Sequence, residues 1–249
     1  MPINTHGVDE EAITKAIANA LEEFYDTLIR KIDGIDIKKI MKRKNPYLYR
    51  AKAMQSASEI VESVLSAFVR SSEETIFGNC FFEPLAIAAS GGNKALAEGV
   101  DIMVQNKDNN DDVIYAVAVK SGPSVFNADS KKRQEQNFNA ASKLAKQAKA
   151  RFEAYIGYSY GKKKTTNRGV PKIYQELAGK EFWYKLTGDE DFYIKIIGYM
   201  GNLPEQYVEA YKVSYNKAAN RLVREFSNSF CNDDGSINWE KLVEFNSGD

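Results

Sequence analysis

Glu98-Gly99-Val100-Asp101-Ile102-Met103-Val104, and after a polar turn Val113-Ile114-Tyr115-Ala116-Val117-Ala118-Val119-Lys120-Ser121-Gly122-Pro123, read as two strands that each carry one chemically costly residue. In the first, Val100, Ile102 and Val104 alternate with Asp101 and Met103, which is the period of a strand. Asn109-Asn110-Asp111-Asp112 supplies the turn. In the second, Val113, Tyr115, Val117 and Val119 share one face, and Ile114, Ala116, Ala118 and Lys120 share the other. Asp101 inside one apolar run and Lys120 at the close of the next put a carboxylate and an ammonium at adjoining strand positions. That pairing suits a metal site beside a cationic catalyst. Hard carboxylate oxygens hold magnesium, and a lysine orients water or neutralises charge during phosphodiester hydrolysis. On this reading Asp101 is the principal metal ligand, Lys120 is the cationic catalyst and the Val119 carbonyl completes the coordination. Taken singly, a strand-edge aspartate capping a turn and a lysine snorkelling from a strand end are the plainer explanations.

Working outward, Asp9 is placed to N-cap a helix, Asp9–Arg30, whose Ile13, Ile17, Leu21, Phe24 and Leu28 form one apolar face. That face is expected either to pack on its own domain or to join two copies. A second helix is expected from about Lys52, with Ala53, Ala57, Ile60, Val64, Leu65 and Phe68 inward, and Asn45-Pro46 breaks the helix before it. Ser71 and Glu74 have capping-box spacing, which predicts a new helix running from there to about Ser90-Gly91-Gly92. Glu83 lies on that helix among Phe81, Phe82, Leu85 and Ile87, a costly place for an acid unless it is satisfied. If the helix packs on the sheet, Glu83 is the acid that reaches the metal. Glu74 is the alternative acid, already explained by its cap. Downstream, a helix Asp129–Phe152, a strand Ala154–Tyr160 and a mostly helical remainder are expected, with Phe182-Trp183-Tyr184 and Phe192-Tyr193-Ile194 read as core. The order predicts a single α/β domain over 1–249. Within it, residues 1–70 are expected to be an N-terminal helical region, 71–160 the catalytic core, and 161–249 a basic loop followed by a helical C-terminal region.

Charge is balanced overall, 34 basic against 34 acidic residues, but it is segregated. Lys38 to Lys52 holds seven Lys/Arg and no acid, and Ser130 to Lys172 holds twelve against Glu135 and Glu153. Glu73 to Asp112 holds eight acids against Lys94 and Lys107. An acidic centre between basic segments is what a divalent-metal nuclease needs, although ordinary solvated helix faces produce the same mixture. Two polar segments are expected on nucleic acid. In the first, Lys162, Lys163 and Lys164 take phosphates while Asn167 or Arg168 reads base edges. In the second, a helix presents Lys131, Lys132, Arg133, Gln134, Gln136 and Asn137 along the backbone. Lys44 and Arg50 belong to the first basic run. Two cysteines without a CxxC, and the one histidine His6, exclude the usual Cys/His zinc sites and a disulfide framework. No apolar run approaches the ~20 residues of a membrane span, and the N-terminus has no signal pattern. A cytoplasmic, reduced protein is expected.

A helix with Gly78 and Glu83 five residues apart, a strand with Asp101, a strand ending in Lys120, then a helix and a strand: this order resembles the PD-(D/E)xK nuclease superfamily. Longer runs look like PmeII-type type II restriction endonucleases, from about residue 44 to the C-terminus. They are Lys44-Asn45-Pro46-Tyr47-Leu48-Tyr49-Arg50, Ser72-Glu73-Glu74-Thr75-Ile76-Phe77-Gly78, Glu98-Gly99-Val100-Asp101, Val119-Lys120-Ser121-Gly122-Pro123, Gly179-Lys180-Glu181-Phe182-Trp183 and Leu186-Thr187-Gly188. The resemblance implies a restriction-endonuclease-like core, with a mixed central sheet flanked by helices and helical additions at both ends. It implies magnesium-dependent cleavage of double-stranded DNA (manganese substituting), a homodimer and a cognate DNA methyltransferase as functional partner. It also implies Asp101 as first acid and Lys120 as the lysine. The pattern departs two residues before the lysine, where Ala118 stands in place of an acid, so Glu83 is expected to supply a displaced one. Ser124 to Asp129 also differs from the Asn-rich run the family would carry. The rival expectations are a structure-selective repair or recombination nuclease, a DNA-binding protein without catalysis (for which Ala118 speaks), and an α/β interaction protein with no DNA role.

Overall fold

The computed structural model describes residues 1–108, 111–163 and 172–248. They form two compact units, each discontinuous in sequence: 1–21 with 77–204, and 22–76 with 205 to the C-terminus.

The first unit is built on a five-stranded sheet of order β1-β2-β3-β4-β5. Its strands are β1 (Asn93–Lys94), β2 (Ile102–Asp108), β3 (Asp111–Lys120), β4 (Arg151–Tyr158) and β5 (Tyr174–Ala178). β1, β2 and β3 pair antiparallel, and β4 and β5 follow in parallel, so the sheet is mixed. β3 is apolar on both faces because both are covered, as a strand bounded by a parallel neighbour should be. On one face Ala116, Ala118, Ala154, Ile156 and Tyr158 pack with Phe138 and Ala141 of the helix α6 (Ala128–Gln147). The other face meets α5 (Phe82–Ser90) and α7 (Lys180–Thr187). The Phe182 ring lies against the Gly157 backbone so closely that a Cβ there would collide with it.

Ala118 is completely buried under α6. A carboxylate at that position would be desolvated among apolar side chains at a cost of several kcal/mol. The position that holds an acid in the superfamily pattern is core in this chain.

Several boundaries differ from those expected. The helix α4 is continuous from Ala57 to Cys80, so Ser71-x-x-Glu74 caps nothing. Ser71 lies inside the helix, and its carbonyl accepts a hydrogen bond from the Thr75 hydroxyl at 3.0 Å. The working box is Ser56-x-x-Glu59: the Glu59 amide donates to Ser56 Oγ at 3.3 Å, and Glu59 Oε2 accepts from the Ser56 amide at 3.1 Å. Asn45-Pro46 starts a helix as well as breaking one, since Asn45 caps α3 (Pro46–Ala51) by accepting from the Tyr47 amide at 3.0 Å. α6 ends at Gln147, five residues sooner than expected, and β4 begins at Arg151. β1 and β5 have no counterpart among the expected elements.

In the second unit α2 (Ile37–Met41), α3, α9 (Glu205–Phe230) and α10 (Trp239–Ser247) pack with the C-terminal end of α1 (Glu10–Asp33) and most of α4. Arg221 stitches the end of α1, donating to the Ile35 carbonyl at 2.8 Å and the Asp33 carbonyl at 3.0 Å, where helix carbonyls lack partners. Asp9 caps α1 as expected, accepting from the Glu11 and Ala12 amides at 3.0 and 3.1 Å. The apolar face of α1 is buried within the chain at Ile13, Ile17, Leu21 and Leu28. That face is therefore not available to join two copies.

Candidate active site

Asp101 sits one residue before β2, still tied on both flanks. Its amide donates to the Val117 carbonyl at 2.9 Å, and its carbonyl accepts from the Ala95 amide at 3.0 Å. The antiparallel register, Ile102 opposite Val117, then sets its side chain beside the end of β3. Asp101 Oδ2 accepts from the Val119 amide at 2.6 Å and from Lys120 Nζ at 3.3 Å. The same ammonium donates to the Val119 carbonyl at 2.9 Å. Two hard oxygens, a carboxylate and a carbonyl, thus face one cation. The Asp101 and Lys120 side chains remain 22% and 28% exposed, so the cluster is open to a ligand.

Glu83, in the first turn of α5, is not bonded to Asp101 or Lys120. Its Oε1 pairs with Lys94 Nζ at 3.0 Å. The Glu83 hydrogen bond and charge, with the Asp101 charge as a smaller contribution, hold the Lys94 ammonium above its ordinary pKa. Lys94, on the two-residue strand β1, is therefore the cation electrostatically linked to both carboxylates. The costly burial expected of Glu83 is relieved by this ion pair. Glu74 is exposed on α4 and belongs to the second unit.

Among the described residues, no group of three or more Asp, Glu, His or Cys side chains is gathered for a metal ion. The donor chemistry of Asp101 and Val119 nevertheless suits a hard divalent cation. The Lys120 ammonium already bridges that oxygen pair, and magnesium keeps waters and substrate phosphate oxygens in its remaining positions.

The basic residues fall into three groups. Lys131 of α6 and Lys163 converge on Glu176 of β5, with Lys172 joining them. Lys131 Nζ lies 2.8 Å and Lys172 Nζ 3.0 Å from Glu176 Oε1, and Lys163 pairs with Oε2. Burial pushes the Glu176 carboxyl up, but hydrogen bonds from the three lysines and Tyr158 outweigh it and hold the group down at about 2. Lys132, Gln136 and Lys162 are exposed, and Arg133 pairs with Glu98 at 2.8 Å on the surface. Gln134, expected on DNA, is buried instead and donates to the Gly99 carbonyl at 2.6 Å, steadying the approach to Asp101. Lys44 and Arg50 lie in the second unit, where the Lys44 carbonyl accepts from Asn246 and Arg50 stacks 5.5 Å over Trp239. Lys164, Asn167 and Arg168 lie outside the described residues.

Sequence reading missed Lys94, Gln134's holding role and Glu176. No periodic signal marks Glu176: Tyr174-Gln175-Glu176-Leu177-Ala178 is short and does not alternate apolar with polar residues.

Residues 11–206 match the family model described as type II restriction endonuclease EcoO109I. No curated protein matches the chain. Among the described residues no helix is long and apolar enough to cross a membrane.

Proposed function

The chain belongs to the EcoO109I family of type II restriction endonucleases, and on that premise we propose that it is a magnesium-dependent enzyme of a PD-(D/E)xK core that hydrolyses phosphodiester bonds of double-stranded DNA. The observation that carries this reading is the Lys120 ammonium held between Asp101 Oδ2 and the Val119 carbonyl. Asp101 and the Val119 carbonyl would hold the ion, and Glu83 is the displaced acid. When bound, the ion supplies charge neutralisation on the phosphate and a more acidic water. Lys120, freed from its carbonyl, places a positive charge where the pentavalent phosphate gathers negative charge. It also donates a hydrogen bond to the attacking water or a phosphate oxygen. Lys131, Lys132, Arg133, Gln136, Lys162, Lys163, Lys164, Asn167 and Arg168 are assigned to the DNA of the same unit, and Lys44 and Arg50 to phosphates of the flanking duplex. The likeness to PmeII-type enzymes is kept as the finer assignment. So are one functional nuclease over 1–249, a cytoplasmic site of action and a cognate methyltransferase that shields host DNA.

Plasmid digestion tests this directly. Cutting is expected in magnesium or manganese and none in excess chelator, with mapped ends at one recurring sequence. Asp101→Ala and Lys120→Ala should abolish cutting yet shift a duplex in calcium. Wild-type cutting by either variant places the site elsewhere. Glu83→Gln should cripple cutting without lowering the melting temperature. If Glu74→Gln is the dead variant and Glu83→Gln cuts normally, the two acids exchange roles.

A further inference from the structure

Beside the strand end that carries Lys120 lies a cavity of about 1230 Å3, all of it within the first unit. Its walls are aromatic and aliphatic: Phe82, Tyr160, Trp183, Tyr184, Tyr193 and Ile197. The runs read from sequence as core are thus divided. Phe182, Trp183 and Phe192 are buried, whereas Tyr184, Tyr193 and Ile194 are 45%, 40% and 56% exposed; outside those runs, the lining residues Tyr160 and Ile197 are 50% and 70% exposed. An apolar face of this size, left open beside the candidate active site, calls for a ligand.

Three observations say which kind. First, the floor is bonded to the candidate active site: the Ser159 amide donates to the Lys120 carbonyl at 2.8 Å and the Tyr160 amide to the Ser121 carbonyl at 3.1 Å. Phe82, in the wall, directly precedes Glu83. Second, Ser159 lines the cavity and is only 5% exposed, yet its Oγ has no hydrogen-bond partner among the described residues. A buried hydroxyl without a partner carries a desolvation cost that a polar ligand edge would relieve. Third, backbone is laid bare in the wall. Gly161 and Gly179 both line it with positive φ, and they pack so closely that a Cβ on Gly179 would come within 2.6 Å of the Gly161 carbonyl, so this stretch of wall is peptide without side chains. Lys162 supplies positive charge among the lining residues, whereas Lys163 and Lys180 are paired with Glu176 and Glu190, and Glu181 also lines the cavity.

Flat aromatic faces, a hydroxyl and peptide edges for a polar rim, and a lysine for a phosphate are the chemistry of a nucleotide. We propose that this cavity receives a nucleobase turned out of the DNA stack next to the phosphodiester that is cut. The proposal rests on the nuclease reading above. Tyr160 and Tyr193 stack on the base, Ser159 Oγ and the glycine peptides meet its polar edge, and Lys162 holds the attached phosphate.

The test uses the full-length protein in calcium and a short duplex centred on the mapped cut site. One base pair at a time is replaced by a mismatch. A mismatch inside a recognition site ordinarily weakens binding. At the extruded position it should tighten binding about tenfold or more, because the pairing to be broken is already lost. Tyr160→Ala, at a half-exposed position, should weaken the paired duplex about tenfold, the share expected of one stacking contact. It should also erase the mismatch gain, and Tyr193→Ala, with its melting curve recorded beside it, should do the same. If the paired duplex is bound and cut but no position gains, the cavity is not a base pocket and the nuclease reading stands. If Tyr160→Ala alters only the mass seen by light scattering, the cavity belongs to a second copy and the proposal fails. If no duplex is bound or cut at all, both readings fall together.

Discussion

Glu176 holds three ammonium groups at one edge of the sheet, and its charge is what allows them to share that edge. The side chain is only 11% exposed, so the ion pairs are shielded from water and the carboxyl stays ionised down to about pH 2. The unfolded chain would protonate near the ordinary carboxylate value of about 4.3. A folded-state pKa below the unfolded one gives stability that is complete above about pH 4.5 and is lost as the pH falls toward 2. Glu176→Gln leaves the lysines uncompensated and should cost about 3 kcal/mol at pH 7, with a clearly smaller cost at pH 3. Denaturant melts of both proteins at the two pH values check it, and an equal difference at each would remove the ion cluster as the cause. Because three lysines gather around one acid, their surplus charge is also a place for phosphate. Asp101 and Lys120 were readable in the sequence because each is a charge inside an apolar run. Glu176 was not, because its partners come from α6, from the chain after β4 and from the residues before β5, and no local pattern announces such a meeting.

The same contrast decides the helices and strands. Ser-x-x-Glu occurs at Ser56–Glu59 and again at Ser71–Glu74, and only the first caps. Leu65, Val69, Ser72 and Ile76, all buried, recur at steps of four, three and four across the second, so the inward stripe of α4 passes straight through it. A local motif yields to packing that continues on both sides. Ser56→Ala should therefore cost about 1 kcal/mol in a thermal or urea melt, while Ser71→Ala, on the exposed side of a helix interior, should stay within about 0.5 kcal/mol of zero. Equal losses would restore the box at Ser71. β2 and β3 were legible to within a few residues because seven and ten residues give the two-residue period room to show. β1 has two residues and β5 five, too few for any period, and both depend on a neighbouring strand's hydrogen bonds for their existence. That shortness hid Lys94, and with it the ion pair that satisfies Glu83. The aromatic runs near α7 and α8 (Phe192–Met200) were legible as apolar, but not as half core and half cavity wall. Composition gives hydrophobicity and leaves open which apolar side chains find a neighbour.

Each chain offers one Asp101–Lys120 cluster, whereas a duplex presents two strands of opposite direction. Cutting both strands at a fixed sequence then requires either two successive visits by one chain or two chains related by a twofold axis. A twofold pair presents the same surface to each antiparallel strand and makes the recognition site symmetric. We predict the pair. Its contact cannot use the apolar face of α1, which is already buried in the chain at Ile13, Ile17 and Leu21. Light scattering of the DNA-bound protein should give twice the 28.0 kDa chain, plus the duplex. A functional measurement sharpens this. When wild type is mixed with an excess of Asp101→Ala and allowed to exchange, most live sites should sit beside dead ones, and supercoiled plasmid should accumulate as nicked circles instead of linear DNA. A monomer that makes successive visits predicts the opposite. Dead chains would then slow cutting by competition, but the product of the remaining live chains would still pass on to linear DNA. A bound mass of one chain, together with undiminished linear product in the mixture, would rule the pair out.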